Sequence, residues 1–389
     1  GTSGGTAGTI TLRGNIFTNG GNTADISFGS PVTLGASVTL DTDTTGEGTA
    51  TAAGDISFGS TVDGAFGLTL DATEDGAAAA GTVTVTGALG GGTNLTGFTV
   101  SGATQVDLGN VTVDGSASAV GIDVTGTNID LNGTAYTVNG GDGDDPIAFA
   151  GAVDLHNDVT VTGGGTAGDS IGFTGAGTID ADDATTANRS LSIVGGSASV
   201  SVGGAIGGTQ AVAGGVTING AAITTAGITT SPGQDDTDAG NITVNGGGAV
   251  TLGALAAVGG SDGSTDGGHA GGSVDIDGDT VAVGAIDTRG SDADTNGNGG
   301  NGGGVDLNAT NGTTPTITLN GNISTGGGAN AGGIDGAAGA VTLNDPVLLS
   351  TGVSVTIDTT DSGVGSPAGA NVTFTATATV DGDAAGSES

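Results

Sequence analysis

The sequence predicts an all-β protein, an elongated parallel β-solenoid with Gly-, Asp- and Asn-rich loops. Three observations predict this fold class. The composition disfavours helices, short segments of alternating polar and apolar residues recur along the chain, and these segments repeat at a spacing near 30 residues. A fixed period in this range is typical of proteins that stack one structural unit on the next.

The composition limits the alternatives. Gly accounts for 86 of 389 residues, and Trp, Met, Cys and Lys are absent. The polar positions carry mainly Thr, Ser, Asn and Asp, which favour turns or half-buried strands over helices. Collagen would need Gly at every third position, and that period is missing. High Gly content and net charge also suit a disordered chain, but the recurring β-branched segments argue against disorder.

The recurring element is a strand of about four residues in which apolar side chains occupy positions i and i+2. The Thr or Asp between them points to the other face, because the side-chain period of a strand is two. Turn-forming pairs such as Asn-Gly and Asp-Gly follow most of these strands. The strands predicted in this way include residues 10–12, 38–40, 83–85, 111–113, 129–131, 159–161, 242–244 and 305–307.

Repeats favour a solenoid over a series of hairpins. The segment 25–30 returns at 55–60, and 38–41 returns at 68–71, both at a spacing of 30 residues. A second pattern, V-x-[IL]-[DN], begins at Val274, Val305 and Val341, each time after a Gly-rich segment. We expect these copies to lie on one another about 4.8 Å apart, with Val, Ile, Leu and Ala filling the interior.

The repeats predict one continuous solenoid over residues 1–389. Residues 1–80 form a module that returns at about 308–389, residues 81–235 form the middle coils, and residues 236–345 form coils with Gly-rich loops and a period of about 31–36 residues. The similar ends allow two interpretations. The chain is a section of a longer tandem array, or its protomers stack head to tail into an open fibre.

The charge excludes two classes of partner. The formal net charge is −38, and the only basic side chains are Arg13, Arg189 and Arg289. Nucleic-acid binding needs clustered Lys or Arg, so we predict no nucleic-acid partner. An anionic membrane surface would repel the chain, and no apolar segment approaches the roughly 20 residues of a membrane span, so we predict no membrane insertion.

The alternation of V-T-L and D-I-S-F strands with long Gly-Asn-Gly loops resembles filamentous-haemagglutinin-like exoproteins and autotransporter passenger domains. The segments that carry the resemblance are residues 297–307 and residues 87–91 leading into 98–100. The resemblance implies a right-handed parallel β-helix that is secreted to the cell surface as an adhesin, filament or matrix component. It supplies no shared catalytic residues.

One segment is a candidate metal site. Residues 140–147 fit a single calcium-binding nonapeptide of the repeats-in-toxin type, in which Asp142, Asp144 and Asp145 would supply carboxylate ligands. Such sites need tandem copies and only one is present, so a solvated acidic loop is the alternative. Looser acidic loops lie at 235–238 and 292–294. No cofactor other than Ca²⁺ is predicted.

Catalysis is not predicted. His156 and His269 are isolated, and the neighbouring acids Asp182 and Asp183 lack the cation or base that a polysaccharide-cleaving site needs. Residues 297–302 match G-x-G-x-x-G, but a strand follows where a dinucleotide site would need a helix.

The sequence therefore predicts an extracellular, non-enzymatic structural or adhesive protein that associates head to tail and contacts glycans or cell surfaces. The alternatives are a glycan- or ice-binding solenoid, whose outward Thr rows would include residues 373–379, and a polysaccharide-degrading β-helix enzyme.

Overall fold

The computed structural model of the chain describes residues 8–18, 24–43, 52–74, 79–115, 120–140, 145–175, 178–182, 188–232, 237–260, 267–293, 297–310, 316–360, 369–375 and 379–382. In these residues all regular structure is β, with 35 strands and no helix; accordingly no described helix has the length and apolarity to cross a membrane. The strands belong to two compact units, residues 1–177 with 194–199 and residues 178–193 with 200–389. Together the units comprise about 11 turns of stacked parallel coils, which confirms the predicted β-solenoid.

The first unit contains 17 strands in the described residues. They are β1 (Ile10–Leu12), β2 (Ile16–Phe17), β3 (Ile26–Phe28), β4 (Val32–Leu34), β5 (Val38–Asp41), β6 (Ile56–Phe58), β7 (Val62–Asp63), β8 (Gly67–Asp71), β9 (Thr82–Val85), β10 (Gly97–Gly102), β11 (Gln105–Leu108), β12 (Val111–Asp114), β13 (Ile122–Leu131), β14 (Ala135–Asn139), β15 (Ile147–Leu155), β16 (Val159–Thr162) and β17 (Ile171–Thr174).

These strands form three columns, each with one strand or half-strand from successive coils. The first column runs β1-β4-β7 and, through bridges at Leu89, β12-β14-β16. The second runs β2-β5-β8-β10 and continues through the first halves of β13 and β15 to β17. The third runs β3-β6-β9-β11 into the second halves of β13 and β15. The long strands β13 and β15 thus bend from the second column into the third.

The second unit has the same three-column plan. Its strands are β18 (Ile179–Ala181), β19 (Ser190–Val194), β20 (Val200–Ile206), β21 (Gly215–Gly220), β22 (Ile223–Thr229), β23 (Ile242–Gly246), β24 (Ala249–Ala256), β25 (Val274–Gly278), β26 (Thr280–Val283), β27 (Ile286–Asp287), β28 (Val305–Ala309), β29 (Ile317–Leu319), β30 (Ile323–Ser324), β31 (Val341–Leu343), β32 (Val347–Leu349), β33 (Ile357–Asp358), β34 (Val372–Phe374) and β35 (Val380–Gly382).

Here the bent strands that join the second and third columns are β20, β22 and β24. The first column runs β19-β21-β23-β25-β28-β31-β34. The second continues from β24 through β26-β29-β32-β35, and the third through β27-β30-β33.

The predicted repeats lie on one another in register. Ile26, Ser27 and Phe28 of β3 pair with Ile56, Ser57 and Phe58 of β6. The V-x-[IL]-[DN] copies also stack, with Val274 on Val305 and Val305 on Val341. Identical residues therefore form ladders, as the sequence predicts. Most of the apolar ladder residues are fully buried, and burying each Val, Leu or Ile contributes about 1.5–3 kcal/mol.

The sequence match between residues 1–80 and 308–389 corresponds to the same strand pairing in different columns. The pairs β1–β4, β2–β5 and β3–β6 are matched by β29–β32, β30–β33 and β31–β34. However, β1 and β4 lie in the first column of their unit, whereas β29 and β32 lie in the second column of theirs. The similarity is thus one of strand pairs and not of position within the coil.

The Gly-rich segments of the second unit pack backbone against backbone. The coil that joins β27 to β28 has an outgoing segment, which includes Thr288 and Ser291, and a returning segment, which includes residues 299–303. In the returning segment every third amide donates a hydrogen bond to the next coil. The amide after each of these donates a hydrogen bond to the outgoing segment of the same coil. A period of three with no internal hydrogen bonds is typical of a polyproline II-type segment. The amides of Gly299, Gly302, Gly300 and Gly303 donate to the carbonyls of Ile334, Ala337, Ser291 and Thr288, at 2.9, 2.8, 2.9 and 2.7 Å.

A buried Thr marks the start of several of these segments. Thr288 follows β27 and Thr325 follows β30, and neither hydroxyl is exposed to solvent. Each donates a hydrogen bond to a Gly carbonyl just before the next first-column strand, which fixes the width of the segment between them. Among the described residues of the second unit, such bonds join Thr230 to Gly240, Thr288 to Gly303, Thr325 to Gly339 and Thr359 to Ala370, at 2.6, 2.7, 2.6 and 2.9 Å.

Candidate functional site

Of the three predicted calcium ligands, Asp145 lies in the described part of the chain, and Asp142 and Asp144 lie outside the described residues. Asp145 is fully buried, and its amide donates a hydrogen bond of 3.3 Å to Oδ1 of Asp169, which is also buried. Oδ2 of Asp169 accepts hydrogen bonds from the amide and the hydroxyl of Thr166, at 2.9 and 2.8 Å. At Asp145, therefore, the structure differs from the solvated acidic loop. Calcium binding stays a prediction.

The looser acidic loops contain side chains that connect successive coils. Oδ1 of Asp238 accepts a hydrogen bond of 2.7 Å from the amide of Ala270 and lies 3.5 Å from Nδ1 of His269. Oδ1 of Asp292 accepts one of 2.6 Å from the amide of Ala329. Asp235, Asp236 and Asp294 lie outside the described residues. In the described residues, no three His, Cys, Asp or Glu side chains form a metal-ligating group.

The same contact recurs along both units. An Asp or Asn oxygen on one coil accepts a backbone N–H about one coil further along the chain, where that amide would otherwise face water. Part of the acidic surplus thus stabilises the stacking itself. The acceptors include Asn15, Asp25, Asp55, Asp63, Asn110, Asp180, Asp238, Asn241, Asp292, Asn298, Asn301 and Asn322.

Carboxylates on the outer side of the third column of the first unit form a ladder. Asp107 is in register with Asp130, and Asp130 with Asp154. Burial raises the pKa of Asp130. Hydrogen bonding from Gln105 and the nearby imidazole of His156 oppose this shift, and the carboxylate of Asp107 adds to it. Nε2 of His156 lies 3.4 Å from Oδ2 of Asp130, so this histidine has an acidic partner one coil away.

A second carboxylate group lies on the first column of the second unit. Asp275 is in register with Asp306, and Asp277 with Asn308, whose amide donates a hydrogen bond of 2.8 Å to Asp277. Burial raises the pKa of Asp275, and the carboxylates of Asp277 and Asp306 raise it further. Carboxylates one strand apart favour retention of a proton.

The residues weighed for catalysis have structural contacts. Both oxygens of Asp182 accept hydrogen bonds from the guanidinium of Arg189, at 2.9 and 3.0 Å, while Asp183 lies outside the described residues. Residues 297–302 belong to one of the Gly-rich segments that pack backbone against backbone. The amides of Gly299 and Gly302 both donate hydrogen bonds to the next coil. No helix begins in the described residues that follow, so the geometry of a dinucleotide site is not formed here.

A concave surface that the sequence did not indicate lies on the first column of the second unit. It is a groove of about 290 Å³ across β19, β21 and β23. The residues that line it are Ser190, Leu191, Ser192, Gly214, Gly215, Val216, Thr217, Asn241 and Thr243. Thr217 and Thr243 are in register on neighbouring strands. An S-x-S strand beside two x-T-x strands is the only sequence signal of the groove, and that pattern is common in half-buried strands.

Comparison with protein-family models, with curated proteins and with solved structures finds no match to this chain. The chain is a β-solenoid repeat protein. The finer resemblance to filamentous-haemagglutinin-like exoproteins and autotransporter passengers gains no support from these comparisons.

Proposed function

We propose that this protein is an extracellular structural or adhesive surface protein, a rod or fibre of stacked coils in the manner of filamentous-haemagglutinin-like exoproteins. The observation that carries this proposal is the continuous parallel pairing of three strand columns within each unit. Backbone hydrogen bonds that run from coil to coil resist extension along the stacking direction, while outward Thr, Asn and Asp side chains face the environment.

The contacts of the polar residues fit a scaffold better than an enzyme. The buried threonines close Gly-rich segments, and the Asp and Asn acceptors join one coil to the next. The carboxylate ladder that includes Asp130 and the carboxylate group that includes Asp275 both lie on outer faces of regular strands. A function in which these side chains maintain a repeating surface needs no cofactor.

Self-association is part of this proposal. Val372 and Phe374 of β34 align with the fully buried Val341 and Leu343 of β31, yet they are 39% and 42% exposed. Val380 of β35 is 55% exposed. In the described residues each of these strands pairs on one side only. Exposed apolar side chains on a half-paired strand favour addition of another strand, and in a solution of this 389-residue chain a second copy supplies one.

Electron microscopy of the purified chain tests the proposal. We expect rods or fibres whose length increases with protein concentration. The double variant Val372→Asp/Phe374→Asp should shorten them, because it places charge on inward positions of the exposed edge. Thr373→Asp is the matched control, since it adds charge to the outward position of the same strand. Compact particles at every concentration would contradict the structural function, and equal shortening by both variants would contradict the edge contact.

Labelling of intact source cells with an antibody to the chain tests the location. We expect surface label without permeabilisation, and label that appears only after permeabilisation would contradict it.

A further inference from the structure

The residues that line the groove on β19, β21 and β23 are all uncharged. No Asp, Glu, Arg or Lys lines it, although the chain has 41 acidic residues. Ser190, Ser192, Thr217 and Thr243 are half-buried in it, whereas the aligned threonines Thr224 and Thr251 on the second column are exposed. The groove is thus a neutral, hydroxyl-lined concavity on a strongly acidic protein.

We propose that this groove binds a short section of a neutral saccharide chain through the hydroxyls of Ser192, Thr217 and Thr243. This goes beyond the scaffold function and does not depend on fibre formation. A serine or threonine hydroxyl is both donor and acceptor, which matches the alternating donor and acceptor capacity of sugar hydroxyls. Half-burial reduces competition from bulk water, so each such hydrogen bond discriminates more than on an open surface.

The charge distribution selects the class of ligand. The net charge of −38 disfavours anions, so an acidic polysaccharide would be repelled. A cation would find carboxylates beside the groove, where Asp275 is in register with Thr243 and with Asp306, and none in the groove lining itself. A neutral ligand that forms hydrogen bonds remains the best fit.

The backbone provides the room and the spacing. Thr217 and Thr243 lie on adjacent strands, hence about 4.8 Å apart, and Ser190 and Ser192 are two residues apart on one face, hence roughly 6.6 Å. Gly215 has φ +112°, and an added Cβ would lie 3.1 Å from the carbonyl oxygen of Asn241, so a side chain is disfavoured at this position. Ligand pockets usually span about 300–1,000 Å³, so a groove of 290 Å³ holds only a short section of a chain.

The test is a binding titration monitored by nuclear magnetic resonance with the full chain. The probes are three neutral oligosaccharides (cellohexaose, maltohexaose and chitohexaose) and one anionic oligosaccharide, hexagalacturonate. We expect at least one neutral probe to bind saturably with Kd about 1 mM, an affinity in keeping with a few neutral hydrogen bonds. Hexagalacturonate should bind more weakly than that probe.

Two double variants give the decisive comparison. Thr217→Val/Thr243→Val removes two groove hydroxyls but keeps the β-branched shape, and should weaken binding roughly tenfold. Thr224→Val/Thr251→Val removes an aligned pair outside the groove and should leave binding unchanged. The proposal is overturned if no neutral probe binds up to about 10 mM, if hexagalacturonate binds equally well, or if the two double variants have the same effect.

Discussion

Two buried hydroxyl groups show how the solenoid interior accommodates polar atoms. Tyr136, the single tyrosine of the chain, is fully buried, and its hydroxyl donates to the carbonyl of Leu108 at 2.8 Å and accepts from the amide of Gly133 at 3.0 Å. Thr225 is also buried, but its hydroxyl has no hydrogen-bond partner among the described residues. The first hydroxyl satisfies two backbone groups, while the second carries an uncompensated desolvation cost.

For Tyr136→Phe we expect a loss of about 0.5–1.5 kcal/mol in the free energy of unfolding, because two hydrogen bonds of the hydroxyl are lost while the Gly133 amide and the Leu108 carbonyl keep their bond to each other at 3.0 Å. Chemical denaturation followed by circular dichroism measures this. An unchanged free energy would show that water or a shifted backbone replaces the hydroxyl.

The same residue should respond to alkaline pH. Burial raises the pKa of Tyr136 above its ordinary value of 10.0. Its contribution to stability is therefore fully present below pH 10 and is lost as the pH rises through the raised value. Ultraviolet absorbance should show phenolate only together with loss of the β circular dichroism signal. Phenolate that appears near pH 10 in the folded protein would contradict the burial.

For Thr225→Val we expect an increase of roughly 1 kcal/mol in the free energy of unfolding. Thr225 stacks between Val202 and Leu252, and valine has the same shape without the unsatisfied hydroxyl. The matched control is Thr230→Val, which removes a hydrogen bond of 2.6 Å to the carbonyl of Gly240 and should lower the free energy by about 1 kcal/mol. Changes of the same sign in both variants would contradict this assignment.

At the scale of the element, the Gly-rich segments are part of the packed structure. Ideal Cβ atoms on Gly299, Gly300 and Gly303 would lie 1.8, 1.9 and 2.0 Å from carbonyl oxygens of neighbouring coils. Contacts this short involve backbone atoms that cannot move aside independently. Glycine is therefore required by the close approach of chains, in addition to any role in turns.

Gly300→Ala should thus destabilise the second unit by about 1–3 kcal/mol, the usual cost of overpacking, or prevent its folding. The control is Gly247→Ala, where the nearest atom lies 4.0 Å from the added Cβ, and the change should stay within about 0.5 kcal/mol. Thermal unfolding of both variants measures the difference. Equal melting temperatures would show that the segments do not pack as closely as described.

At the scale of the whole molecule, electrostatic repulsion between carboxylates opposes folding. A net charge of −38 includes carboxylates stacked in register, such as Asp107 on Asp130 in one unit and Asp275 on Asp306 in the other. Like charges directly opposite on neighbouring strands destabilise a sheet. Acidification and salt should therefore both stabilise this protein.

Stability should rise as the pH falls from 7 towards 4. The pKa values of Asp130 and Asp275 are raised above 3.8, mainly by burial, so their contribution is fully present below pH 3.8 and is lost as the pH rises through the raised values. Asp358, whose pKa is lowered by hydrogen bonds from Thr360, opposes this trend. Melting temperatures across this range measure it. Asp130→Asn/Asp275→Asn should flatten the pH dependence, and a double variant that keeps the full slope would contradict the assignment.

Much of the fold could be predicted because its signal is local. The repeats at 25–30 and 55–60 and the Val274, Val305 and Val341 strands stack as their spacing indicates. The candidate sites were less predictable. Asp145 is buried, and the Asp238 and Asp292 carboxylates accept amides of the next coil. Which backbone N–H groups need an acceptor depends on how coils stack, and the spacing of acidic residues carries no such information.

The sequence by itself determined the parallel solenoid, since alternating apolar residues at a period near 30 bury their side chains well only when successive coils are in register. Tertiary structure alone decided in which column each matched strand lies, where Gly-rich backbones meet, and that Ser192, Thr217 and Thr243 line one groove. The physical reason is that these features arise from loop widths and from contacts between segments distant in sequence, whereas a strand pattern reports only which face of each strand is inside.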